Sequence, residues 1–275
     1  MDVDMLRKRL VYQLPGMEAA AVRRDMPYLK HDNAVLHMDV YTPPGLADGA
    51  RLPAVLLVHG GPIRAGLPLQ PKDWGIYLSY GELMATSGLV GVTFNHRLYG
   101  FDEHPQAAGD IAAAIDYVRT HAAELHIDSD RLCMWTFSGG GPQLSGPLRE
   151  RPSFIRCLVA YYPILDLGTF VQHGLAVVDE EDVRRFSPAL ALQGGDATRP
   201  PLLIARAGQD HPALNQGLDA FVQAALAANI SLDLLNHPRG QHGFDMLDDD
   251  ARSREIIAHT IAFVQDHLQL YEHTC

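Results

Sequence analysis

Short apolar runs recur along the chain, each followed by a loop and then by a stretch with helical spacing. Residues 35–41 (VLHMDVY) alternate into TPPG, which predicts a strand and its stop. Residues 54–58 (AVLLV) and 89–94 (LVGVTF) are continuous apolar runs, the pattern of strands buried on both faces. Residues 131–137 (RLCMWTF), 157–162 (CLVAYY), 202–207 (LLIARA) and 231–235 (SLDLL) complete the strand set. Helices are expected at 76–86, 106–124, 215–228 and about 253–268. The clearest is 106–124, where Ile111, Ile115 and Val118 share a stripe beside the small Ala114. Strands alternating with helices call for a mainly parallel central sheet with helices on both faces. Ligands bind such sheets outside the carboxyl ends of the strands, so the loops that follow strands are where chemistry is sought.

One stretch breaks the alternation. Residues 166–187 (DLGTFVQHGLAVVDEEDVRRFS) mix apolar and acidic positions between a strand and Ser187-Pro188. They read as a small cap over the site or, equally, as a surface excursion. With no repeat and no linker, residues 1–275 read as a single domain.

Composition narrows the function. With 47% hydrophobic residues the chain can bury an extensive core, and disorder is excluded. A net charge of −11, from 33 acidic and 22 basic residues, repels phosphate backbones and anionic headgroups. No nucleic acid or membrane partner is expected. The first sixteen residues lack the apolar stretch of a secretory signal, and no apolar run reaches the ~20 residues of a membrane-spanning helix. A soluble, cytoplasmic protein is the expectation. Cys133 and Cys157 fall in strand runs and Cys275 ends the chain. None has metal-ligand spacing, so two buried thiols and a tail thiol are expected.

Four post-strand loops carry candidate chemistry. Ser138 follows RLCMWTF and precedes three glycines, and Thr136-Phe137-Ser138-Gly139-Gly140 is similar to the nucleophile elbow G-x-S-x-G with its first glycine replaced. Val58-His59-Gly60-Gly61-Pro62 closes a strand about 80 residues earlier, where glycine N–H groups could face a developing oxyanion. Pro62 has no N–H, which leaves Gly60 and Gly61, with Gly139 after the nucleophile as a third donor. His59 reads as a residue that orients this loop. Asp210 ends PLLIARAGQD, where a carboxylate can fix a histidine tautomer; Asp166, after YYPIL, is its rival. Asp210 is favoured by its Gly-x-Asp context and by the strand nearer the histidine loop. Among 14 histidines, His242 in RGQHGFD is set apart by its place on the last post-strand loop between Gly240 and Gly243. His237 is the weaker candidate, and His259 and His267 read as solvated helix positions.

Each motif has a bland alternative as a Gly-rich turn, but the order Ser138, Asp210, His242 is nucleophile, acid, histidine. On these residues, with MDVYTPPG, FNHRLYG, DIAAAIDYVR and IDSDRLCMWTFSGGG, the chain resembles the esterase/lipase branch of the α/β-hydrolases over roughly residues 35–268. HGGP is also similar to the catalytic domains of prolyl-oligopeptidase-type peptidases. Those carry a propeller that the residues ahead of 35 cannot form.

The resemblance implies the α/β-hydrolase fold, a Ser138–His242–Asp210 triad, an oxyanion hole of Gly60, Gly61 and Gly139, and an acyl-enzyme route without a cofactor or metal. Esters of small uncharged acyl groups are the expected substrates, since no Lys or Arg cluster marks an anion site. Trp74, Ile63 and Leu67 are candidates for the mouth of the site or for core. An amidase or peptidase-like hydrolase uses the same triad, and a non-catalytic binding protein follows if Thr136 displaces the elbow. Homo-oligomer formation is left open.

Overall fold

A computed structural model describes residues 3–31, 34–64, 66–193 and 199–268; Cys275 lies outside them. Eight strands form one sheet in the order β1-β2-β4-β3-β5-β6-β7-β8. They are β1 (Ala21–His31), β2 (Ala34–Thr42), β3 (Leu52–Val58), β4 (Val90–Phe94), β5 (Ile127–Phe137), β6 (Ile155–Tyr161), β7 (Leu202–Ala207) and β8 (Leu232–His237). Only the β1–β2 and β2–β4 pairs are antiparallel; from β4 to β8 the pairing is parallel. The expected strands are all present, β7 with the expected bounds and the others with shifted ends. β1 has no counterpart in the sequence reading.

Ten α-helices accompany them among the described residues: α1 (Val3–Leu6), α2 (Gly75–Thr86), α3 (His104–Thr120), α4 (Ser145–Glu150), α5 (Leu167–Gln172), α6 (Glu180–Arg185), α7 (Pro188–Ala191), α8 (Pro212–Ala227), α9 (Phe244–Leu247) and α10 (Ala251–His267). The strict side-chain alternation of a strand sorts the core into two layers. In β3, Ala54, Leu56 and Val58 join Ile111, Ala114 and Val118 of α3 and Leu218, Phe221 and Ala225 of α8 on one face. Val55 and Leu57 join Tyr80, Leu83 and Met84 of α2 and Ile257, Ile261 and Val264 of α10 on the other. Ile115, expected on the buried stripe of α3, is only half-buried at its edge.

Residues 166–187 do not roof the catalytic-end cavity described below. They form α5 and α6, whose Leu167 and Phe170, with Phe186, bury against Ile164 and against Ala213 of α8. Val171, Leu175 and Val177 stay exposed, and none of the residues lining the cavity at Ser138 comes from this segment. Among the described residues, no helix is long and apolar enough to cross a membrane.

Candidate active site

β5 ends at Phe137, and Ser138 turns the chain with φ of 51°. That left-handed conformation costs a non-glycine residue about 1–3 kcal/mol and holds only where neighbours enforce it. Here the Ser138 carbonyl accepts from the Ile164 N–H at 3.0 Å. Backbone also crowds the following glycines: a Cβ on Gly139 would lie 2.1 Å from the Gly61 carbonyl oxygen, and one on Gly140 2.7 Å from that of His59. Ser138–Leu144 is a tight 3-10 turn containing Pro142, and α4 begins only at Ser145, so no α-helix N-terminus lies directly behind Ser138. Thr136, the departure from glycine in the elbow, is fully buried within β5 and its hydroxyl donates to the Val159 carbonyl at 3.4 Å. The sheet takes up the extra side chain, and the turn keeps its shape.

His242 sits between β8 and α9, where Gly243 (φ 79°) reverses the chain. Its Nδ1–H donates to Asp210 Oδ2 at 2.6 Å, and its Nε2 lies 2.8 Å from Ser138 Oγ. The carboxylate fixes the Nδ1–H tautomer, which leaves Nε2 to accept the serine proton. The second oxygen of Asp210 accepts from the His211 N–H at 2.7 Å. The Asp210 side chain is 5% exposed and that of His242 41%, so the acid is enclosed while the base meets the solvent side. The rival Asp166 is engaged elsewhere: it accepts from the Gly168 N–H and the Thr169 hydroxyl, capping α5. His237 is buried against Ser253, and His259 and His267 lie on α10 near Asp233 and Phe263.

The HGGP loop differs from expectation in one donor. Gly60 gives its N–H to the Tyr77 hydroxyl at 3.2 Å. Tyr77 rises from the first turn of α2, and its oxygen takes this N–H before any substrate could. Gly61 and Gly139 remain as candidate backbone donors for an oxyanion. His59 is fully buried, stacked on His96 at 3.6 Å between ring centres. Its Nε2 accepts from the His96 N–H at 3.2 Å, so its Nδ1–H donates to the Gly60 carbonyl at 2.7 Å. Burial pushes the His59 imidazole down to about 4, which keeps it neutral and fixed as the spine of the loop.

Sequence reasoning missed the layer beneath His242. The Tyr162 ring lies 4.6 Å from the imidazole, and its hydroxyl donates to Asp245 Oδ1 at 3.0 Å. The Tyr80 hydroxyl donates to Oδ2 of the same buried carboxylate at 2.7 Å. Burial raises Asp245 above the usual carboxylate range, while the two hydroxyls and His242 oppose that shift. The signal available was the acidic residue in HGFD three positions after His242, which reads equally well as a helix-start residue.

Ser138 and His242 open into a cavity of about 190 Å³ with Ile63, Trp74, Ile76, Tyr77, Phe137, Tyr162 and Met246 in its walls and no Lys or Arg. A neighbouring space of about 470 Å³ shares Pro62, Ile63, Trp74 and Met246 with it and adds Met5, Arg64 and Leu67. Trp74, Ile63 and Leu67 thus border these spaces. A larger groove of about 760 Å³, between α3, α4 and α6, holds none of the triad-like groups. Chemistry and not volume locates the site.

The profile of the BD-FAE family matches residues 38–146, a span that includes the HGGP loop and Ser138. Carboxylesterase NlhH of Mycobacterium tuberculosis is 28% identical over 294 residues, which cover 88% of this chain and 89% of that protein. Among solved structures, native esterase 2 of Thermogutta terrifontis superposes with a TM-score of 0.69 at 23% identity, covering 92% and 94% of the two chains. The chain has the α/β-hydrolase fold and is similar in sequence to carboxylesterases. Brefeldin A esterase, a bacterial homologue of human hormone-sensitive lipase, shares the hydrolase fold with a TM-score of 0.71 at 19% identity, over 97% of this chain and 82% of that one.

Proposed function

We propose that this α/β-hydrolase cleaves carboxylic esters of small uncharged acyl groups through an acyl-enzyme on Ser138. The carrying observation is the continuous chain Ser138 Oγ, His242 Nε2, His242 Nδ1, Asp210 Oδ2, with separations of 2.8 and 2.6 Å at its two hydrogen bonds. Ser138 Oγ attacks the acyl carbonyl as its proton passes to His242 Nε2. The carbonyl oxygen becomes an oxyanion held by the Gly61 and Gly139 N–H groups. Collapse expels the alcohol, which takes the proton from His242. Water, activated by the same base, then releases the acid. Asp210 keeps the imidazole oriented and stabilises its charged form. The small apolar cavity without a cation supports a short neutral acyl group, and the carboxylesterase names of the relatives support ester over amide. A cytoplasmic setting is part of the same proposal. The free buried thiols of Cys133 and Cys157, register partners in β5 and β6, fit a reducing compartment.

The test is turnover of matched p-nitrophenyl acetate, butyrate and decanoate esters and the corresponding anilides. The reading expects the short esters to be preferred. Ser138→Ala is expected to lose several powers of ten in turnover while remaining folded. Near-normal turnover in that variant would remove the assignment.

A further inference from the structure

The oxyanion loop is one backbone donor short of what its sequence suggests, and a side chain stands in the gap. Gly60 spends its N–H on the Tyr77 oxygen, and Pro62 has none to offer. Tyr77 is buried, with its ring edge-on to Phe137 at 5.4 Å between centres, and it lines the cavity that holds Ser138 and His242. Its oxygen accepts from Gly60, but among the described residues no group accepts the phenol's own hydrogen. Burial raises the phenol well above its ordinary range, so the hydrogen stays in place.

Gly60 also lies close to the nucleophile. A Cβ built there would lie 2.9 Å from Ser138 Cβ and 3.5 Å from Oγ. A hydroxyl 3.2 Å from the Gly60 nitrogen is therefore within a few ångströms of the carbonyl that Ser138 attacks. Resting on the acyl-transfer reading above, we propose that Tyr77 is a catalytic residue whose hydroxyl donates a third hydrogen bond to the oxyanion, beside Gly61 and Gly139. The Gly60 N–H, by donating to the phenol oxygen, polarises the O–H and strengthens it as a donor. No proton is transferred; the hydroxyl donates in the tetrahedral intermediate and relaxes when it collapses.

Tyr77→Phe removes only the hydroxyl. The expected result is a fall in kcat of about 100-fold with KM within about threefold of wild type. A trifluoromethyl ketone of matching chain length, which Ser138 converts to a hemiketal oxyanion, should lose affinity by the same factor as kcat/KM. A residue that merely props the loop would change KM and thermal stability and leave the ratio of ketone affinity to kcat/KM unmatched. Unchanged kcat, or ketone affinity that stays at the wild-type value, overturns the inference. Should Tyr77→Phe not fold, 3-fluorotyrosine at position 77 decides. Its more acidic phenol is a better donor and poorer acceptor, so kcat at or above wild type is expected and a clear fall overturns the idea. An inactive wild-type enzyme would instead fail the hydrolase reading. An active wild type with an indifferent Tyr77→Phe fails this inference alone.

Discussion

Ser138 holds φ of 51° because its neighbours leave the turn no alternative. The Ile164 N–H fixes its carbonyl, and the HGGP loop packs directly against the next two residues. The same crowding makes Gly139 intolerant of any side chain. Gly139→Ala would press a methyl group onto the Gly61 carbonyl oxygen at 2.1 Å and displace both remaining backbone donors. Ester turnover should fall by about 100-fold or more, since a shift near 1 Å is enough for that loss; initial-rate assays on the purified variant check it. The choice of acid is tested by a ranking. Asp210→Asn should cost on the order of 10⁴ in kcat by presenting the wrong tautomer partner to His242. Asp166→Asn, which disturbs only the cap of α5, should leave kcat within a few-fold. That Ser138, Asp210 and His242 meet was legible in the sequence because each lies on a loop that follows a strand, in a fixed order. The engagement of Gly60 could not, because its partner Tyr77 is contributed by a helix 17 residues downstream, and only the packing of α2 on the sheet brings the two together.

Helices and buried strands were legible wherever the apolar pattern was continuous or periodic. β1 was not, because it is an edge strand whose residues are mostly exposed, with charges at Arg23, Arg24, Asp25 and Lys30. Only Met26 and Tyr28 turn inward, Pro27 interrupts the run, and Asp25 at φ 54° makes a bulge. Edges protected in this way lose the alternation that marks a strand. The segment 166–187 could be read as a cap or as a surface excursion because its apolar pattern does not say what it packs on: Leu167, Phe170 and Phe186 bury with Ala213 of α8, and none of its residues lines the cavity at Ser138. An ion pair ties the loop after β4 to α3. Arg97 donates from Nε and Nη2 to the two oxygens of the buried Asp110 on α3, at 2.9 and 2.6 Å. Asp110→Ala leaves that guanidinium without its partner. It should cost about 3 kcal/mol, a fall in Tm of roughly 6–12 °C by differential scanning calorimetry. A loss below 1 kcal/mol would show that the pair does not anchor the loop. Catalytic side chains do not touch Asp110, so the folded fraction should retain its kcat.

At the scale of the molecule, buried histidines couple stability to pH. Burial pushes His59 and His104 down to about 4 and His96 well below its ordinary value. In the unfolded chain each takes a proton near pH 6.5. Between these limits the unfolded state binds more protons, so stability is full above pH 6.5 and is lost as the pH falls. Three such groups give a slope of up to about 4 kcal/mol per pH unit, offset near its acid end by Asp245, whose raised pKa acts in the reverse sense. Urea midpoints should therefore be nearly flat from pH 7 to 8 and fall steeply from 6 to 4.5. A flat profile across the acid window would mean that these imidazoles are not held neutral.

The central claim concerns a single hydroxyl. Ser138, hydrogen-bonded to His242 and lining the cavity, should be the one serine that a fluorophosphonate probe modifies in the native protein. Incubation with the probe, digestion and peptide mass spectrometry should return one adduct per chain on the peptide containing Ser138, with simultaneous loss of ester turnover. Heat-unfolded protein and Ser138→Ala should both stay unlabelled. A native protein that takes up no probe, or takes it up on another serine, would contradict the account.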